Sequence, residues 1–215
     1  MSLAYPLARA LPVTTVAAIS ILIGRGKEIG RIGLLGMVLI FFGCIILPLP
    51  RLRGLRLADY TSAVFLMAIV AAVGTTAYTL IDDTALRQLR TNPSLPLNNT
   101  QTTLLFISLQ MLSTSILLTL IMLGRLSERR RAIQLLRSRR LLLSSVVTGI
   151  VIMATYGLVL ASMALVRNVS YVSAFRQLSI PIGALMGLVL ENEARFRPKL
   201  ADIIITVGLI LVGIG

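Results

Sequence analysis

Two arginines, each followed closely by a proline inside an apolar run, are the residues of this chain best placed to do chemistry: Arg9 with Pro12 in "YPLARALPVTTVAAIS" and Arg176 with Pro181 in "YVSAFRQLSIPIGALMGLVL". A guanidinium beside an apolar span attracts anionic or zwitterionic groups. A proline withdraws one backbone donor, leaving a carbonyl upstream for side chains, water or a ligand to satisfy. Each feature also has a structural reading, since an arginine near a helix end can reach the membrane surface and a proline kink can serve packing. Tyr78, Gln110, Tyr156 and Ser179 are polar groups within apolar runs. They could line the same cavity, or simply hydrogen-bond between helices. Gly183 and Gly187, spaced Gly-x-x-x-Gly, suit close helix packing.

The elements that must position these residues follow from composition. With 215 residues, 56% hydrophobic and 13% charged, and a mean hydropathy of +0.91, the chain has too little polar surface for a soluble globule. An all-α, polytopic transmembrane bundle is expected. A bilayer core needs about 20 apolar residues per helix, and seven runs approach that length: 7–23, 32–49, 60–81, 102–123, 141–166, 172–190 and 200–215. The five residues "RNVSY" between the fifth and sixth runs dictate an antiparallel hairpin, and "DDTALRQLRTNPSLPLNNTQ" has the composition of a loop.

The formal net charge of +13 reads as membrane topology. The basic residues sit in short links without stacking aromatics, so nucleic acid is not an expected partner. Numbering the links alternately puts thirteen Lys and Arg on one side (Arg51, Arg53, Arg56, the seven arginines of "RLSERRRAIQLLRSRR", Arg195, Arg197, Lys199) and six on the other (Arg25, Lys27, Arg31, Arg87, Arg90, Arg167). The richer side is expected to be cytoplasmic, with Met1 inside and Gly215 outside. The Arg-rich loop 125–140 reads chiefly as a topology anchor, with anionic lipid as a further partner. The sequons at Asn98 and Asn168 fall on the expected outer side and weigh little. A bacterial inner membrane is the expected location.

Catalysis is not expected. The chain has no His and one Cys, Cys44, in an apolar run, which removes the usual base, the disulfide and the thiolate metal cluster. No metal or other cofactor is implied. All eight acidic residues, Glu28, Asp59, Asp82, Asp83, Glu128, Glu191, Glu193 and Asp202, are placed in loops or at helix ends. A proton relay inside the membrane is therefore not expected. A retinal-type photoreceptor is excluded, because Lys199 only borders the last run.

The opening and closing stretches share an order. Aligning Arg9 with Arg176 matches Leu11 with Leu178 and brings the breaks Gly24-Arg25-Gly26 and Glu191-Asn192-Glu193 together; after a two-residue gap, Gly43 meets Gly208. A two-helix unit repeated five spans later is inverted, as in inverted-repeat transporters. On this view Arg9 and Arg176 border the two ends of a polar pathway.

The segments "ATYGLVLASMALVRNVSYVSAFRQLSIPIGALMGLVLENE", "PKLADIIITVGLILVGIG" and "AYTLIDDTAL" resemble the second half of the drug/metabolite transporter superfamily, EamA-like branch. "YPLARALPV" through "GCIIL" resembles the end of its first half. The resemblance implies a five-plus-five inverted repeat. Residues 1–49 would be the last two helices of the first repeat, 50–58 a basic linker and 59–215 a complete second repeat. The family's first three helices are not in this sequence, so a longer polypeptide, a homodimer or a partner subunit would complete the pathway. The family pattern also puts the C terminus in the cytoplasm, opposite to the arginine count. The implied function is alternating-access transport of a small metabolite, amino acid or drug-like compound. The alternative is a truncated or non-transporting membrane protein acting as an assembly or regulatory subunit.

Overall fold

A computed structural model describes residues 4–46, 63–190 and 200–215, and all of its regular structure is helical. The helices are α1 (Ala4–Ser20), α2 (Arg31–Ile46), α3 (Ala63–Thr91), α4 (Asn99–Gly124), α5 (Leu126–Arg137), α6 (Arg139–Ser162), α7 (Val169–Phe175), α8 (Ser179–Leu190) and α9 (Leu200–Ile214). Four helical stretches are long and apolar enough to cross a membrane: Ala8–Glu28, Leu66–Thr91, Asn99–Gly124 and Arg139–Ser162. α2 and α9 are apolar but shorter. The chain is therefore a membrane protein whose described residues form only helices as regular structure. The expected linker 50–58, the basic residues Arg51, Arg53, Arg56, Arg195, Arg197 and Lys199, and the acids Asp59, Glu191 and Glu193 lie outside the described residues.

The chain divides into two compact units, one of residues 1–82 and 166–215, the other of 83–165. In the first, α2 and α9 run antiparallel at very short range. Gly36 faces Gly208, Gly43 faces Ala201 and Ile205, and Gly30 faces Gly215. Lipid tails are as apolar as leucine, so helices in a bilayer gain little from burying apolar surface alone, and small residues that let backbones approach supply the contact. Around this seam Val13, Ala17, Met37, Ile40, Cys44, Ile205, Leu209 and Val212 form the buried core.

Between α1 and α2 the chain turns through a π-helical stretch, Ile21–Arg25, and a 3-10 turn, Gly26–Glu28. Gly24 there has φ 86°, a left-handed conformation that glycine adopts without steric cost. The turn is fastened from α7. Asn168 donates to Glu28 Oε2 (3.2 Å), and the Tyr171 hydroxyl accepts from Gly30 N (2.9 Å). Asn168 is fully buried and also caps α7, accepting from Ser170 N at 3.0 Å. Its sequon is thus occupied by structure. Asn98 likewise caps α4, in a reciprocal capping box with Gln101.

Three sequence expectations change. α3 runs on to Thr91, so Asp82 and Asp83, expected in a loop, lie inside a helix and are buried. The Arg-rich stretch expected as a loop contains the amphipathic helix α5. Gly183 faces open space, and a Cβ there would meet nothing within 4 Å. Close packing belongs instead to Gly33, Gly36, Gly43 and Gly208; Gly187 lies in α8, and its surroundings fall outside the described residues.

Candidate functional site

The expected sixth span tightens part-way from α-helix to a 3-10 turn and back, with the backbone at Phe175, Arg176 and Ser179 staying right-handed helical. α7 ends at Phe175, a 3-10 turn covers Arg176–Leu178, and α8 starts at Ser179 with Pro181 in its first turn. A proline at that position has no N–H for the Gln177 carbonyl, so the 3-10 turn falls where the backbone ladder is already one bond short. Pro12, by contrast, is buried inside α1, which continues past it to Ser20. The two prolines are thus not structurally equivalent.

The 3-10 turn gathers polar groups in the first unit. Arg9 Nη2 donates to Ser179 Oγ at 2.8 Å, and Ser179 Oγ donates to the Arg176 carbonyl at 3.2 Å. Gln177 Nε2 donates to the Arg9 carbonyl at 3.0 Å, while its buried Oε1 has no hydrogen-bond partner among the described residues. The Arg176 guanidinium lies over the Tyr78 ring, 5.8 Å from the centroid, within cation–π range. Tyr78 stands at the middle of the candidate span Leu66–Thr91. Arg9 and Arg176, expected at opposite ends of a pathway, therefore meet in one cluster with Ser179, Gln177 and Tyr78. The Arg9 guanidinium on Ser179 and the Arg176 guanidinium on Tyr78 suit a ligand that carries negative charge.

Further along α3, the polar residues Thr76, Thr79 and Asp82 are buried. The Thr15 and Thr76 hydroxyls are 2.6 Å apart, joining α1 to α3. Each of these threonines also bonds a carbonyl one turn back, at Leu11 and Ala72. This satisfies their hydroxyls within the helix, as threonines in membrane helices commonly do.

Gln110 and Tyr156 belong to the second unit, where Gln110 Nε2 donates to the Tyr156 hydroxyl at 3.1 Å between α4 and α6. Nearby, an apolar groove of about 660 Å³ is lined by Thr103, Ile107, Met153, Ala154 and Gly157. Asp83 is fully buried and pairs with Arg87 at 3.1 Å. Arg90 Nη2 reaches Thr103 Oγ1 (3.2 Å) and the Leu160 carbonyl (3.4 Å), placing a cation at the C-terminal end of α6, where the helix dipole favours it.

Sequence reading missed Gln177, Asp83, Arg87 and Arg90. The spacing i, i+4, i+7 of the last three was the available signal, but it shows only once the helix is carried past residue 81. Comparison with family models, with curated proteins and with solved structures finds no match to this chain.

Proposed function

We propose that the chain is a membrane carrier of the drug/metabolite transporter type, moving a small metabolite, amino acid or drug-like compound by alternating access. The observation that carries this reading is the cluster of Arg9, Arg176, Ser179, Gln177 and Tyr78, assembled around the 3-10 turn between α7 and α8. Charged side chains within membrane segments are costly and usually serve a site, and a 3-10 turn in the middle of a helix often marks a functional hinge. The seven-span, inverted-repeat architecture belongs to the same proposal. Its support is that the contact of Gly43 with Ala201 corresponds, under the alignment of Gly43 with Gly208, to the contact of Gly208 with Gly36.

The buried pair Asp82 and Asp83 removes the sequence argument against an ionisable group within the helices. Coupling to a proton or cation is therefore open to this carrier. Purified protein in proteoliposomes, offered mixed metabolite pools, is expected to give saturable uptake or exchange. No saturable flux from folded protein would overturn the reading.

One observation favours the alternative, an assembly or regulatory subunit. In the candidate spans of α4 and α6, only 6% and 0% of the apolar window is buried, leaving broad faces for lipid or another chain. A stable complex with a second chain and no flux in its absence would support that reading.

A further inference from the structure

We propose that α5 is an interfacial helix whose exposed face binds anionic lipid headgroups at the bilayer surface. α4 ends at Gly124 and α6 begins at Arg139; each contains a candidate membrane crossing, and only Arg125 and Ser138 separate them from α5. A helix tied so closely to the ends of two crossings is held at the membrane surface. One side of α5 faces α4, where Glu128, Arg131, Ala132 and Leu135 share a recess with Leu118, Ile121 and Met122.

The other side carries Leu126, Ile133 and Leu136, which are 74%, 50% and 67% exposed. Arg129, Arg130 and Arg137 are also exposed. At 3.6 residues per turn these six residues fall within a sector of about 120°. Large apolar side chains flanked by guanidiniums suit the boundary between acyl chains and phosphates, whereas in water the same face would leave three large apolar groups exposed. A topology anchor needs the charge alone and gives no reason for an apolar stripe in register with it.

The charge is strongly one-sided. Residues 125–140 contain seven Arg and one acid, Glu128, and Glu128 is paired with Arg131 at 3.1 Å. The occupant is therefore an anionic phospholipid surface, attracted by the arginines of the exposed face. The test of this surface does not depend on flux.

The chain has no Trp, so Ile133→Trp creates a single fluorescent reporter on this face. The full chain, reconstituted in vesicles, would be quenched by brominated phosphatidylglycerol or by brominated phosphatidylcholine at equal mole fraction. The anionic lipid is expected to quench more strongly. Each of Arg129→Gln, Arg130→Gln and Arg137→Gln should reduce that preference by up to about fivefold, and added salt should reduce it further. Absence of quenching by either lipid would take α5 off the bilayer and overturn the proposal. Equal quenching by both would also overturn it, leaving a neutral anchor. If an arginine variant does not fold, the salt titration with all arginines intact reads the same preference, and Leu136→Trp repeats it from the same face.

Discussion

Gly36 and Gly208 meet backbone to backbone: a Cβ on Gly36 would stand 2.5 Å from the Gly208 carbonyl oxygen, and one on Gly208 would stand 2.8 Å from the Gly36 oxygen. Neither neighbour is a flexible side-chain tip that could move aside. Gly36→Val and Gly208→Val should therefore each lower stability by about 2–3 kcal/mol, the range of strained overpacking. Gly183→Ala, in open space, should leave it unchanged or raise it by under about 1 kcal/mol. Thermal unfolding of the purified protein in detergent checks both, and equal loss at all three positions would contradict the α2–α9 seam.

Arg176→Ala should impair flux more than folding. Its guanidinium rests on the Tyr78 ring, and its removal takes one of two cations from the cluster. Loss of one charge-assisted hydrogen bond to a substrate is worth about 1.5–3 kcal/mol, or roughly 10- to 100-fold in apparent affinity. Arg9→Ala should act in the same direction, because Arg9 reaches Ser179 within the same cluster. Uptake kinetics alongside thermal unfolding separate the effects. A parallel fall in folded protein and flux would make both arginines structural.

The helical class and four helices of membrane length are legible in the apolar runs, because hydrocarbon solvent demands long continuous helices, but the runs at 32–49, 172–190 and 200–215 give shorter helices than the seven expected spans require. The irregularity near Pro181 was legible from the proline, but the same reading of Pro12 meets a helix that continues to Ser20. Other features depended on tertiary partners. The end of α3 was lost because Asp82, Asp83, Arg87 and Arg90 look like solvated loop charge, yet Asp83 is buried against Arg87 and Arg90 reaches Thr103 and Leu160. The Gly-x-x-x-Gly spacing at Gly183 carried no information about which face meets a neighbour. Arg9 and Arg176 were recognised as a pair, but sequence symmetry does not say whether two such residues lie apart or together. Only the approach of α1 to the 3-10 turn between α7 and α8 decides that.

Asp83→Asn should destabilise the second unit by about 1–3 kcal/mol. Breaking a fully buried pair costs more than this, but the Arg87 side chain is 37% exposed and can turn to water. A double-mutant cycle with Arg87→Gln, read by thermal unfolding, should show a coupling of about 1 kcal/mol or more between the positions. Additive effects would mean that Asp83 is held by other partners.

Asn168→Ala should cost about 2 kcal/mol, since it removes both a helix cap and a buried amide. Asn168 Oδ1 holds Ser170 N at 3.0 Å and its Oγ at 2.6 Å, while Nδ2 holds Glu28 Oε2 at 3.2 Å. Asn168→Asp separates the two roles. It keeps an acceptor for the cap, yet sets a carboxylate against Glu28, so like charges meet where a donor stood. Asp at this position should therefore be no more stable than Ala in thermal unfolding. Full rescue by Asp would show that capping alone matters, and that the tie from α7 to the turn between α1 and α2 contributes nothing.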